Sequence, residues 1–264
     1  MQAVAGFSLI SVLIPFCRAA AAAAPLALLP INAESVAQMR KRHSPASATV
    51  DDPVYHRKQR YEGFWLRDLL QDLSYQGHPQ SGVYVRFRCK DGYLPIMPLS
   101  RAMSGGGLVA IRDLDAPPGQ VWQTTPVNGT PSTPAPSYLV WAPPAGDIEQ
   151  YPWPYQMVAI ELVTTADALG EGVSGLFVEH CLKCHAINGA GGTFGPELNS
   201  PCSVTEYWNP GFLSRFIADA PSIRAGTRMP DFRALSASDI QAIVAYLRYM
   251  AGHKRAGAVC PPAR

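Results

Sequence analysis

Residues 181–185 read Cys181-Leu-Lys-Cys184-His185, and this run decides the fold of the C-terminal part of the chain. On a helix, positions i, i+3 and i+4 share one face. Two thiols so placed can add to the two vinyl groups of one haem, and the adjacent imidazole can reach the iron from the same side. The run therefore reads as covalent attachment of one c-type haem through Cys181 and Cys184, with His185 as an iron ligand. Cys and His each occur 6 times among 264 residues, so chance would place such a run somewhere in the chain only about 0.003 times. A zinc site would want two further ligands nearby, and a thioredoxin-type pair would want a βαβ setting. The sequence shows neither.

The flanks of this run have helical patterning. Val173–Cys184 reads as a first helix, Pro210–Ala218 as another, and Asp239–Met250 as the last and most regular, with Ser236 and Asp239 forming a capping box. A Gly-rich loop, Gly189–Gly195, follows the haem motif. Gly172 and Phe177 precede Cys181, Gly195-Pro196-Glu-Leu198 follows it, Arg228-Met229-Pro230 lies further on, and Leu235–Leu247 ends in Ala245-Tyr246-Leu247. Together these residues resemble the class I cytochrome c family over residues 168–255. The resemblance implies that the Pro196 carbonyl holds the proximal His185. It also implies that Met229 is the sixth ligand of the iron and that the last helix packs across the first. A thioether opposite an imidazole favours ferrous iron and raises the potential. With both axial positions filled, the expected task is one-electron transfer rather than oxygen or peroxide chemistry. Met229 also has an ordinary reading as a loop or core methionine. Met250 reads as packing, His180 as a surface residue and Tyr246 as core. Tyr207 and Trp208 either cover the haem edge or fill the core, and the sequence leaves these two open.

At the other end, residues 1–30 read as an export signal. Ala3–Phe16 is mostly apolar and is followed by Arg18 and the small residues Ala19–Ala24, as signal cleavage requires. The apolar run is short for a membrane span. It lacks a basic residue before Phe16, and Cys17 follows a bulky residue where a lipoprotein site wants a small one. The expected location is periplasmic. An uncleaved anchor is the alternative.

Residues 31–165 form a second compositional unit. Met39-Arg-Lys-Arg-His43 reads as a short solvated basic piece. Phe64–Leu73 has helical spacing, Val83–Cys89 alternates as a strand, and Lys90–Tyr93 is a hairpin turn with Gly92 at a positive φ. The return strand, Leu94–Leu99, holds Pro95 and Pro98, which assign it to a sheet edge. Ala116–Pro144 reads as a long proline-rich surface loop interrupted by one strand, Tyr138–Trp141, and Tyr155–Val163 closes the unit as β structure. Tyr61-Glu-Gly63, Asp91-Gly92-Tyr93, Pro98-Leu99, Tyr151-Pro-Trp-Pro154 and Ile160-Glu-Leu162 together resemble the molybdopterin-binding fold of the sulfite oxidase superfamily over residues 45–165. In that superfamily a cysteine thiolate binds molybdenum. The corresponding candidate is Cys89, whose plain alternative is a small buried strand residue. Arg86, Arg88, Arg101 and Arg112 are the only basic residues on offer for a pterin phosphate, and they read as solvated strand and loop residues.

Length and composition agree with two domains. The chain has 264 residues, 47% of them hydrophobic, 25 prolines and a formal net charge of +2. A charge this close to balance gives no electrostatic reason to expect nucleic acid. Once the haem pair and Cys17 are set aside, Cys202 and Cys260 can join within the C-terminal domain in an oxidising compartment. The expected protein is an α+β, mainly β, molybdopterin-binding-like domain (31–165) followed by an all-α cytochrome c domain (166–264). It would act as an electron carrier or redox subunit rather than a stand-alone enzyme. A redox partner protein is implied, including one in a membrane respiratory chain. Two alternatives are a molybdenum-dependent oxidoreductase feeding its own haem from a centre near Cys89, and a haem-based sensor with a weak or missing sixth ligand.

Overall fold

Alternating burial organises the first half of the chain into two antiparallel sheets. The computed structural model describes residues 25–73, 83–127, 130–142, 151–164, 175–254 and 260. The expected signal up to residue 24, Cys17, Gly172 and Val173 lie outside the described residues.

The N-terminal elements are β1 (Ala27–Pro30), α1 (Ala33–Arg42), β2 (Ala46–Asp52), β3 (Arg57–Trp65) and α2 (Leu66–Asp72). Next come β4 (Val83–Cys89), β5 (Ile96–Pro98), α3 (Leu99–Ser104) and β6 (Gly107–Asp113). The set closes with β7 (Thr125–Val127), β8 (Thr130–Ser132), β9 (Tyr138–Trp141) and β10 (Met157–Thr164). One sheet has the order β1-β10-β4-β5 and the other β2-β3-β6-β9, with β7 and β8 as a separate ribbon. From β4, Val83, Val85, Phe87 and Cys89 point into the main core. The second sheet is covered on both faces. Val109, Ile111, Leu139 and Trp141 meet the first sheet's core, while Leu108, Ala110, Tyr138 and Val140 form a second core with Tyr61 and Trp122.

Several expectations change in detail. β1 lies inside the span read as a signal and pairs with β10, so the folded unit begins before residue 30. Phe64 and Trp65 close β3 opposite Val109 and Leu108, and the helix starts only at Leu66. Arg40, Lys41 and Arg42 are solvated as expected, but they form the last turn of α1, where cations suit the helix dipole. Arg42 and His43 both reach Asp72. The return strand is shorter than expected, because Leu99 opens α3, and it does sit at the sheet edge. Within the proline-rich stretch, β9 is present but wholly buried, and β7 and β8 are added to it.

The C-terminal elements are α4 (Gly175–His180), β11 (Ala186–Ile187), β12 (Ala190–Gly191), α5 (Val204–Tyr207), α6 (Pro210–Ala218), α7 (Ala220–Ile223) and α8 (Ala237–Ala251). The tiny β11–β12 hairpin qualifies the all-α expectation, because the Gly-rich loop folds back on itself. Ser236 and Asp239 cap α8 reciprocally, as the sequence suggested. Asn209 caps α6, with Pro210 at its first turn. Ile240, Ile243, Val244 and Leu247 are the buried face of α8, and Tyr246 packs on Phe177 of α4 at 4.9 Å between ring centroids. Cys202 and Cys260 are joined in a disulfide that ties the C-terminal tail to the segment ahead of α5.

Candidate functional site

The helical hydrogen-bond pattern continues past α4. The Cys184 and His185 amides both donate to the Cys181 carbonyl, at 3.1 and 2.9 Å. The turn therefore presents Cys181, Cys184 and His185 to one side, as their spacing required. All three line a cavity of about 240 Å³, bounded mainly by apolar side chains including Phe177, Leu213 and Ile243. Met229 and Pro196 line the same cavity. All five residues singled out from the sequence thus come together.

His185 is held from behind. Its Nδ1 lies 2.7 Å from the Pro196 carbonyl oxygen. Because a carbonyl can only accept, Nδ1 carries the proton and Nε2 keeps its lone pair for a metal. Gly195 makes this approach possible: a Cβ there would fall 2.5 Å from His185 Cε1. The Gly195 amide in turn donates to the Cys184 carbonyl at 2.7 Å, which closes the loop onto the motif. Burial pushes the His185 pKa down, against the opposing pull of the Pro196 carbonyl and Glu197. The ring is therefore kept in the neutral, ligating form.

Other residues give the cavity its shape, and the sequence did not reveal their roles. Glu197 accepts from the amides of Asn188, Gly189 and Asn199 at 2.8, 2.8 and 2.9 Å and so fixes the loop that carries Pro196. The Arg228 guanidinium lies 3.9 Å from the centroid of the Phe194 ring. This cation–π contact joins the Met229 loop to the His185 loop across the cavity. The Met229 amide donates to Thr227 Oγ1 at 3.2 Å. His180 lines the cavity beside Phe232 and is not the surface residue expected from its neighbours. Its half-buried place depends on Phe232, a partner distant in the sequence that no local pattern names. Trp208 and Tyr207 both line the cavity, and Trp208 also packs on Phe212 and Phe216. Tyr246 and Met250 are packing residues.

The donor set fits haem c. Two thiols at i and i+3, an oriented neutral imidazole, a thioether and apolar walls are what the group needs.

The N-terminal candidates are placed differently. Cys89 is buried in the main core, and burial pushes its thiol well above the ordinary range. Arg86 and Arg88 are not freely solvated: both donate to the buried carboxylate of Glu161, at 2.6 and 2.7 Å.

The family described as cytochrome c oxidase, cbb3-type, subunit III matches residues 170–247. No curated protein matches the chain. The matched region contains every residue of the cavity's donor set. The C-terminal region is a cytochrome c domain, with a haem-based role in electron transfer.

Proposed function

We propose that the chain is a periplasmic electron-transfer protein that carries one covalently attached haem with His185 and Met229 as axial ligands. One observation carries this reading: Cys181, Cys184, His185 and Met229 line one apolar cavity, with the imidazole already oriented by Pro196. A haem held there supplies a one-electron ferric/ferrous couple. The two thiols bind it to the chain, and Gly195 with Pro196 aims the imidazole. Met229 offers a thioether that favours the reduced state, and Phe177, Leu213 and Ile243 exclude water. The Cys202–Cys260 disulfide supports an oxidising compartment, as does the apolar leader. The partner in this reading is a redox protein, including one in a membrane respiratory chain.

The N-terminal domain, read as molybdopterin-binding-like, acts in this proposal without a cofactor of its own. A buried neutral thiol at Cys89 is a poor molybdenum ligand, and Glu161 already occupies Arg86 and Arg88.

The test is a pyridine haemochrome spectrum with metal analysis on protein matured in a host that attaches haem. One haem and one iron per chain are expected. A colourless protein would overturn the reading, and stoichiometric molybdenum would favour the oxidoreductase alternative. Met229→Ala should lower the reduction potential and remove the weak red absorption of sulfur-bound ferric iron. An unchanged spectrum would exclude Met229 as ligand. Carbon monoxide binding to the reduced wild-type protein at neutral pH would favour a sensor.

A further inference from the structure

The haem-attachment turn has four backbone carbonyls ahead of His185, and their partners divide between the two domains. Cys181 accepts from the Cys184 and His185 amides, Leu182 from the Gly192 amide at 2.8 Å, and Cys184 from the Gly195 amide. These three are satisfied within the cytochrome domain. The fourth, Lys183, accepts from the Leu94 amide of the N-terminal domain at 2.8 Å.

The hairpin between β4 and β5 is built for this contact. Its Tyr93 and Pro95 carbonyls pair inward, accepting from the Cys89 and Phe87 amides at 3.1 and 2.9 Å. Hydrogen-bonding directions alternate along a strand, so the Leu94 N–H points to the open edge. The cytochrome domain covers that edge. Gly92, at φ +87°, accepts through its carbonyl from the Thr193 amide at 3.0 Å. A Cβ on Gly92 would fall 2.2 Å from Thr193 Oγ1. Gly192 of the cytochrome domain also approaches the Lys183 carbonyl so closely that a Cβ there would sit 2.3 Å from the oxygen. The peptide between Lys183 and Cys184, one bond from the second thioether position, is therefore gripped from both domains.

We propose that the β4–β5 hairpin is a built-in clamp on the haem-attachment turn, with the Leu94 amide as a positioning group that sets the haem's reduction potential. The inference rests on the haem reading above. An amide donor compensates the negative end of the Lys183 carbonyl dipole beside the cavity. Without it, that negative end is left uncompensated near the site and favours ferric iron. The N-terminal domain thus contributes a fixed dipole to the haem, which gives it a redox role with no cofactor inside it.

The experiment uses the full-length holoprotein. In the wild type, amide hydrogen exchange at Leu94 and Thr193 should be slow. Exchange at the rate of an unstructured peptide at both positions would overturn the clamp without any variant. Leu94→Pro removes the donor and leaves the carbonyl partner in place. It should speed Thr193 exchange and shift the ferric/ferrous ratio at a fixed ambient potential toward ferric by roughly two- to tenfold, the range one hydrogen bond spans. Haem content and the sulfur–iron band should not change. Gly92→Ala, which pushes on Thr193, should move both readouts the same way and serves if Leu94→Pro does not fold. A coloured variant with freely exchanging Thr193 and an unmoved potential would overturn the inference. A protein without covalent haem would instead overturn the underlying functional reading.

Discussion

In the N-terminal domain, Tyr61, Phe64, Phe87, Tyr138 and Trp141 are almost wholly buried among their neighbours in two packed cores. In the C-terminal domain, Phe177, Leu213 and Ile243 end at the wall of a cavity. The first domain completes its interior with its own side chains. The second arranges its helices and loops around a space that its own residues leave open, edged by two thiols, an imidazole and a thioether. The difference assigns stability and function to different places. Packing carries the N-terminal fold, whereas the C-terminal fold depends on filling the space that its own side chains leave open.

The largest test of that contrast is Cys184→Ser, made in a host that attaches haem. Normal covalent attachment should be lost, and with it the thermal transition of the cytochrome domain at its holoprotein midpoint. The β-rich domain should keep its own transition. One shared transition at the wild-type midpoint would show that the haem contributes nothing to the fold. The mirror experiment is Trp141→Ala. This side chain is 2% exposed and donates from its indole to the Pro152 carbonyl at 2.8 Å. The change should cost the N-terminal domain about 3–5 kcal/mol, read by denaturant unfolding, and leave the visible spectrum unaltered. A changed spectrum would mean that the two interiors are less independent than their packing indicates.

The same contrast governs what could be read from the residues alone. The haem turn was legible because its chemistry is local: three side chains must share a helical face, and the spacing that achieves this is fixed. β4 was legible because one side of it is core and the other is not, so Val83, Val85, Phe87 and Cys89 alternate with Tyr84, Arg86 and Arg88. β6 was missed for the opposite reason. Leu108, Val109, Ala110 and Ile111 are all buried because the sheet is covered on both faces, and an unbroken apolar run carries no period. β1 was lost because the apolar stretch before it in the sequence was read together with it as one segment. In the site, the sequence marks Arg228 only as a neighbour of Met229. Its stacking on Phe194 links two loops 34 positions apart, and no local pattern encodes such a pair. The hairpin's grip on Lys183 was equally invisible, since it depends on one backbone amide whose side chain is irrelevant to it.

A smaller effect sharpens the picture of how the cavity is kept in shape. Gly195→Ala forces a methyl group against the His185 ring. The ring or the loop must give way, at a cost of about 1–3 kcal/mol in a closely packed site. The expected outcome is a holoprotein of lowered stability whose imidazole ligation is perturbed in the visible spectrum. Wild-type stability and spectrum together would show that the close approach of ring and backbone is incidental.

The smallest expected effect concerns pH. Glu206 caps α5 by accepting from the Ser203 amide at 2.6 Å and pairs with Lys254, near the end of the disulfide-tied tail. The Lys254 ammonium and then the Ser203 amide hold its pKa below the usual carboxylate range. A carboxylate whose folded pKa lies below its unfolded value of about 4.3 stabilises the fold fully above that value. The contribution is lost as pH falls through the folded pKa. The group is exposed, so the effect should stay within about 1 kcal/mol. Acid titration of the cytochrome domain's stability should therefore show a shallow loss below about pH 4.3 that Glu206→Gln abolishes. Glu206→Gln should also lower stability slightly at neutral pH, because the amide keeps an acceptor for the cap but loses the charge that faces Lys254. An acid slope identical in both proteins would move the pH sensitivity to other carboxylates.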